Sequence, residues 1–280
     1  MSDDARPTLR GRTIVMSGGS RGIGLAILLA AARQGANAVI LAKTDQPDER
    51  LPGTVHTAVA EIERAGGSAV AVVGDVREEA DVERAAATAA ESFGGVDIVV
   101  NNASALNTNG TAEVTPKRYD LMQSINSRGT YLLSRACLPH LERSPDAQIL
   151  TLSPPINLDP SWLGTFPPYM LSKYGMTLLT LGFAAEFAGS GIRANCLWPQ
   201  TTIATAAVVN LLGGEAAASR ARSPEIMADA AVALLTDPAR PTGRVLIDED
   251  ALAEAGFTDL SGYGGGDDPE PDFFVEKRVG

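Results

Sequence analysis

Short, wholly apolar runs alternate along this chain with longer stretches in which apolar residues recur at three- and four-residue spacing. Residues 13–17, 38–42, 69–73, 97–100, 148–152, 193–197 and 245–247 are brief and rich in β-branched residues, which predicts seven buried strands. Residues 23–34, 55–65, 78–93, 117–143, 168–187 and 224–235 read as helices. Gly35, Gly66 and Gly94 stop the first three, acids fill the first turn of the third, and Pro168 opens the fifth. Strands apolar on both faces and separated by helices need cover on both sides. The expected fold class is therefore α/β: a doubly wound parallel sheet of seven strands in a single domain, residues 1–250. An acidic C-terminal extension follows, residues 251–280.

Composition narrows the function classes. The 280 residues carry 23 Lys and Arg against 34 Asp and Glu, a net charge of -11, which argues against a nucleic-acid partner. Ten of the acids but two of the bases lie after residue 245, so the body is close to neutral and does not repel an anionic ligand. That tail, with Gly264-Gly265-Gly266 and Asp267-Asp268, reads as an arm or loosely packed extension. Its Phe273-Phe274-Val275 would dock on the body or on a neighbouring subunit. The two cysteines, Cys137 and Cys196, form no disulfide framework and suit a reducing compartment. His56 and His140 lie too far apart in sequence to suggest a metal site, so none is expected. Apolar stretches such as residues 23–32 are too short for a membrane span, and the first seven residues lack a signal pattern. A cytoplasmic location is the expectation.

Candidate chemistry begins after the first strand. Ser17-Gly18-Gly19-Ser20-Arg21-Gly22-Ile23-Gly24 runs straight into a helix. Glycines at 18, 22 and 24 permit a tight turn, close approach of a phosphate and close helix–strand packing, while the helix N-terminus offers N–H donors. A dinucleotide site is expected here. At the end of the second strand, where an acid would meet a free ribose 2′-hydroxyl, stand Ala42-Lys43-Thr44. Lys43 and Arg21 would complement a 2′-phosphate, favouring NADP(H) over NAD(H), although Asp45 nearby keeps NAD(H) open.

Tyr169 and Lys173 are four residues apart and share a helix face. A phenol ionises near pH ~10, and a neighbouring ammonium would lower that value and make the hydroxyl a general acid or base. Together with the glycine loop, Asp75 after the third strand, Asn101-Asn102-Ala103-Ser104 and Asn126, this ensemble resembles the short-chain dehydrogenase/reductase family over residues 10 to about 248. The segments Ala42-Lys43-Thr44, 126–131, Ser153-Pro154-Pro155, Leu197-Trp198-Pro199 and 271–274 further resemble its hydroxysteroid dehydrogenase-like branch, whose eukaryotic members carry a sterol-carrier domain after the dehydrogenase part. This chain is expected to stop before one would begin.

The resemblance implies a Rossmann-type fold and an oxidoreductase that interconverts a carbonyl and an alcohol. It implies a catalytic set of Tyr169, Lys173, Asn126 and Ser153. Gly18, Gly19, Ser20, Arg21, Gly22, Ile23, Gly24, Lys43, Asp75, Val76, Asn102, Ala103, Lys173 and Thr202 would hold the cofactor. Asp75 would meet the adenine, Asn102 and Ala103 the adenosine and ribose, Lys173 the nicotinamide ribose and Thr202 the carboxamide. Asn126 would help place a water leading to the lysine. The family also implies a homodimer or homotetramer.

One position departs from the family pattern. Its substrate-orienting serine stands about thirteen residues before the tyrosine, where this sequence has Ile156 between Pro155 and Asn157. Ser153 directly follows the apolar strand and would serve with two extra loop residues. Alignment on the strand puts Pro154 there instead, and Ser161 lies far along the loop. Loss of one preorganised donor costs on the order of 10²–10³ in rate. A noncatalytic NADP(H)-binding sensor or assembly protein is therefore the alternative to an enzyme. Leu106, Ile156, Trp162, Leu163, Phe166, Trp198 and the apolar residues 203–212 would surround the centre and suit a small lipophilic substrate.

Overall fold

The computed structural model describes residues 8–48, 53–205 and 219–277. Seven strands form one parallel sheet in the order β3-β2-β1-β4-β5-β6-β7. They are β1 (Thr13–Ser17), β2 (Asn37–Ala42), β3 (Ser68–Val73), β4 (Ile98–Asn101), β5 (Gln148–Leu152), β6 (Arg193–Trp198) and β7 (Val245–Ile247). Each boundary falls within one residue of the periodicity reading. The helices are α1 (Gly22–Arg33), α2 (Val55–Arg64), α3 (Glu79–Phe93), α4 (Pro116–Gln123), α5 (Gly129–Leu141), α6 (Pro160–Thr165), α7 (Pro167–Glu186), α8 (Glu225–Leu235) and α9 (Asp248–Glu254).

Strand side chains alternate between two cores, which is why the strands are apolar at every position. Ile14, Met16, Ile40, Ile98, Val100 and Leu150 join the core beneath α1, α2, α8 and α9. Val15, Val39, Leu41, Val99 and Ile149 join the core beneath α3, α5 and α7. The result is three layers, helix–sheet–helix. β1 pairs with β2 on one side and β4 on the other. The chain therefore leaves the sheet centre in opposite directions, opening a crevice at the carboxyl ends of β1 and β4.

Two features depart from the periodicity reading. The single helix expected over 117–143 is interrupted by a π-turn, Ser124–Arg128, between α4 and α5. The short helices α6 and α9 were not marked by apolar periodicity. α6 is started by Asp159, whose carboxylate accepts from Ser161 N at 2.8 Å, and α9 by three acids in its first turn.

The C-terminal segment returns across the molecule and docks on the body. Thr202 N donates to Glu270 O at 2.8 Å and Asp272 N to Gln200 O at 3.1 Å. Trp198 Nε1 donates to Phe273 O at 2.9 Å, and Gln200 Nε2 to Glu276 O at 2.8 Å. Phe274 ends fully buried in a third cluster with Met122, Phe166, Tyr169, Tyr174, Trp198 and Val275. Gly264-Gly265-Gly266 all take positive φ, in keeping with the sharp reversal that starts this return. None of the described helices is long and apolar enough to cross a membrane.

Candidate active site and nucleotide cradle

The glycine loop joins β1 to α1 and is fastened to the end of β4. Gly18 has φ +74°, and a Cβ there would lie 3.0 Å from Ala103 Cα; a Cβ on Gly24 would lie 2.6 Å from both Asn102 Nδ2 and Gly18 O. No side chain fits at either position. Asn102 locks the turn by donating its amide to Gly18 O at 2.8 Å and Ser17 O at 3.2 Å. Ser17 Oγ in turn accepts from the N–H groups of Asn102 and Ala103. Gly19 is pressed against Leu28 and Met16, and Ser20 is buried. Gly22 and Ile23 open α1, whose N-terminus has no side-chain cap and no acid in its first turn. Free N–H groups, a positive helix end and bare backbone together fit the pyrophosphate of a dinucleotide.

The cations beside this cradle have protein partners. Arg21 donates to Thr44 Oγ1 at 2.7 Å and to Gly53 O at 2.9 Å. Lys43, largely exposed, lies 3.1 Å from Asp75, and Arg77 grips the same carboxylate through Nε and Nη2. Burial alone would raise the Asp75 pKa, but Arg77 and Lys43 outweigh it and hold the group far below the usual carboxylate range. Asp75 is thus a fixed anion at the end of β3 with Lys43 beside it. The next residue, Val76, is buried in the α3–α5 core.

Asn126 sits within the π-turn and is fully buried. Its Oδ1 accepts from Ala105 N at 2.7 Å, and its Nδ2 donates to Ala105 O at 3.0 Å and to Ser172 Oγ at 2.8 Å. The helix irregularity therefore turns one amide toward both the β4 loop and α7, the kind of use to which single π-turns are put at functional sites. On α7, Tyr169 and Lys173 are buried on one face. Lys173 Nζ donates to Leu152 O at 2.6 Å and lies 4.8 Å from the centre of the Trp198 ring. Burial pushes its pKa down to about 7, against the opposing pull of Asp272.

Two expectations about this pair change. The phenol of Tyr169 is not acidified: burial first, and then Asp272, hold its pKa well above the ordinary value. Spacing put Lys173 on the right face, but its ammonium turns to the end of β5 rather than to the phenol. Ser153 is fully buried near Cys196, and its Oγ has no hydrogen-bond partner; Ser104 is exposed and is the side chain that favours the Tyr169 phenolate against burial. Pro154 O accepts from Thr177 Oγ1, and the Asn157 backbone is held by the Tyr174 hydroxyl. Thr202 is tied to the C-terminal segment through its N–H and its hydroxyl.

Of the apolar residues expected around the centre, Leu106, Trp162, Leu163, Phe166 and Trp198 do cluster with Tyr169. Ile156 is exposed instead, and Ile203 packs in the core beneath α1. Residues 206–212 of the expected apolar stretch lie outside the described residues. Three residues of the centre were given no role by sequence reasoning. Ser104 carries no signal in the sequence beyond its place after Asn101-Asn102-Ala103. Asp272 and Phe274 lie about a hundred residues along the chain from Tyr169, and only the aromatic pair in the tail hints at docking.

Comparison with known proteins is consistent across three measures. The model of the short chain dehydrogenase family matches residues 12–213. The chain is 50% identical over 272 residues to hydroxysteroid dehydrogenase-like protein 2 of Danio rerio, covering 96% of this chain and 65% of that protein. It thus spans less than two thirds of that relative's length. A short chain dehydrogenase from Mycobacterium thermoresistibile superposes with a TM-score of 0.91 at 52% identity, covering 96% of each chain. A more distant one from Mycobacterium paratuberculosis, bound to NAD, shares the fold with a TM-score of 0.75 at 22% identity, over 86% of this chain and 97% of that one.

Proposed function

The chain belongs to the short-chain dehydrogenase family, and from that premise we propose that it is an NADP(H)-dependent oxidoreductase. In this reading it interconverts a carbonyl and an alcohol on a small lipophilic substrate, with Tyr169 as general acid and base. One run of contacts supports the reading. Gly18 abuts Ala103, Ala105 N donates to Asn126 Oδ1, Asn126 Nδ2 donates to Ser172 Oγ, and Ser172 Oγ donates to Tyr169 O. The phosphate cradle and Tyr169 are thereby neighbours at the mouth of one crevice.

The backbone of Gly18, Gly19, Ser20, Gly22, Ile23 and Gly24 would hold the pyrophosphate, with Arg21 and Lys43 toward a 2′-phosphate. Asp75 and Val76 would line the adenine, Asn102 and Ala103 the ribose, Lys173 the nicotinamide ribose and Thr202 the carboxamide. When bound, the reduced nicotinamide supplies hydride to the carbonyl carbon. Tyr169 gives its proton to the carbonyl oxygen as the alcohol forms. Burial keeps the Tyr169 phenol protonated at neutral pH, the form that giving a proton to the carbonyl oxygen requires. In this reading Ser104, exposed beside the cradle, is the second hydroxyl on the substrate oxygen, while Ser153 is buried at the end of β5. Asn126 fixes both Ala105, next to Ser104, and Ser172, next to Lys173.

Exposed Tyr131, Leu171 and Leu178 on α5 and α7 favour a homodimer or homotetramer. Buried, unpaired Cys137 and Cys196 suit a reducing cytoplasm.

Tyr169→Phe tests the reading. Turnover with NADPH should fall by about 10²–10⁴, with NADPH affinity unchanged. Undiminished turnover refutes the assignment, and NADPH binding without turnover of any carbonyl by the unaltered protein favours the sensor.

A further inference from the structure

Lys173 is 2% exposed, and among the described residues it makes no direct ion pair. Its ammonium donates to Leu152 O at 2.6 Å and lies 4.8 Å from the centre of the Trp198 ring. A buried ammonium gives up its proton readily unless a nearby anion holds it. The carboxylate whose charge acts on Lys173, and on Tyr169 as well, is Asp272 of the C-terminal segment. Trp198 joins the two sides physically, since its ring meets the ammonium while its Nε1 donates to Phe273 O, one residue beyond Asp272.

The position of Asp272 is fixed from several directions. Its N–H donates to Gln200 O at 3.1 Å, and its Oδ1 accepts from Phe273 N at 2.7 Å. Phe274 follows with φ +68°, strained for a bulky residue, and its ring lies 6.3 Å from that of Tyr169. Such strain persists only where the surroundings impose it. The other groups that face Asp272 and Lys173 are Tyr169 on α7, the Cys196 thiol on β6 and Asp248 at the start of α9, itself beside Glu249 and Arg222. The remaining charges of the segment are engaged elsewhere: Glu270 pairs with Arg220 and Lys277 with Asp268, each at 2.6 Å, while Glu276 is exposed. Burial pushes Lys173 down and Asp272 up, each to about 7, and the charge of each opposes the shift of the other.

We propose that Asp272 is a positioning residue, the counter-charge that holds Lys173 as an ammonium, so that the C-terminal segment completes the catalytic centre. This rests on the oxidoreductase reading and adds a residue to it. An ammonium keeps all three of its donors, enough for Leu152 O and for the ribose that Lys173 would bind.

The test needs neither cofactor nor turnover. The chain has four lysines, Lys43, Lys117, Lys173 and Lys277, and all but Lys173 are exposed. Lysine labelled with carbon-13 at Cε therefore gives four resonances in the full-length protein, each following the protonation of its own amine. The Lys173 signal is the one lost in Lys173→Met. In the unaltered protein it should titrate well below the other three, whose ordinary value is about 10.4. Asp272→Asn, which keeps an oxygen for Phe273 N, should lower the Lys173 midpoint by about one pH unit or more and leave the other three in place. Asp272→Glu should bring it most of the way back. Asp272→Ser, whose hydroxyl can also accept from Phe273 N, repeats the measurement should the amide variant not fold.

A Lys173 midpoint that stays or rises when the Asp272 charge is removed overturns the proposal. So does a folded Asp272→Glu protein that titrates like Asp272→Asn, which would make the turn and not the charge the cause. A Lys173 midpoint level with the other three in the unaltered protein overturns it too, because such an ammonium needs no counter-charge. Undiminished turnover in Tyr169→Phe would instead strike the oxidoreductase reading, and the lysine resonance then judges Asp272 alone.

Discussion

Replacing Gly24 by Ala perturbs the cradle at its tightest point. The new methyl would lie 2.6 Å from Asn102 Nδ2, 2.6 Å from Gly18 O and 3.1 Å from Gly19 Cα. Two of these are backbone atoms, so Asn102 must yield. Its amide then forfeits the bonds to Gly18 O and Ser17 O, worth about 1 kcal/mol each. Residual overpacking adds about 1 kcal/mol or more, for a loss of roughly 3 kcal/mol in urea-induced unfolding. The displaced turn is also where phosphate would approach, so NADPH affinity by fluorescence titration should fall at least about tenfold, or 1.4 kcal/mol. Gly164→Ala is the control. Its Cβ would meet nothing within 4 Å, and in a helix the exchange should stabilise by up to about 1 kcal/mol. A Gly24→Ala protein with less than about 1 kcal/mol lost and undiminished NADPH affinity would refute the tight-cradle reasoning.

Two further predictions address charge. Lys43→Ala should weaken NADPH by about tenfold while leaving NADH nearly unchanged, measured by parallel titrations; an equal effect on both cofactors would place Lys43 outside the 2′-phosphate contact. Burial pushes Asp248 up to about 7, so its folded form keeps a proton that the unfolded chain releases from about pH 4 upward, and stability should fall as pH climbs from about 4 to 7. Asp248→Asn keeps an oxygen for the N–H groups of Gln200 and Glu249 and should flatten that slope in urea unfolding at pH 5 and 8; an unaltered slope would show that Asp248 does not titrate in this window.

The strands were legible because each alternates its apolar side chains between two cores, a demand that only uninterrupted apolar runs satisfy. The glycine loop was legible for a similar reason, since Gly18 and Gly24 stand where no Cβ fits. The π-turn was not, because Asn126 earns its place through Ala105 and Ser172, partners that local periodicity does not register. Helical spacing correctly put Tyr169 and Lys173 on one face, but spacing carries no information about desolvation, which sets both pKa values. Nor does it reveal where an ammonium points, here to Leu152 O. Counting back from Tyr169 along the chain leads to Ser153, which is fully buried, whereas Ser104 stands exposed after β4 and comes near Tyr169 only across the fold.

The bonds from Trp198 and Gln200 to the backbone of residues 273 and 276 have a practical corollary for anyone handling the molecule. They fix the point of departure of whatever polypeptide is joined beyond Glu276, and that point lies beside Gln200, just past the end of β6. A purification tag or fused module attached there pulls directly on the segment whose Phe274 packs with Tyr169, so a fusion at this end loads that cluster in a way that fusions elsewhere on the surface do not.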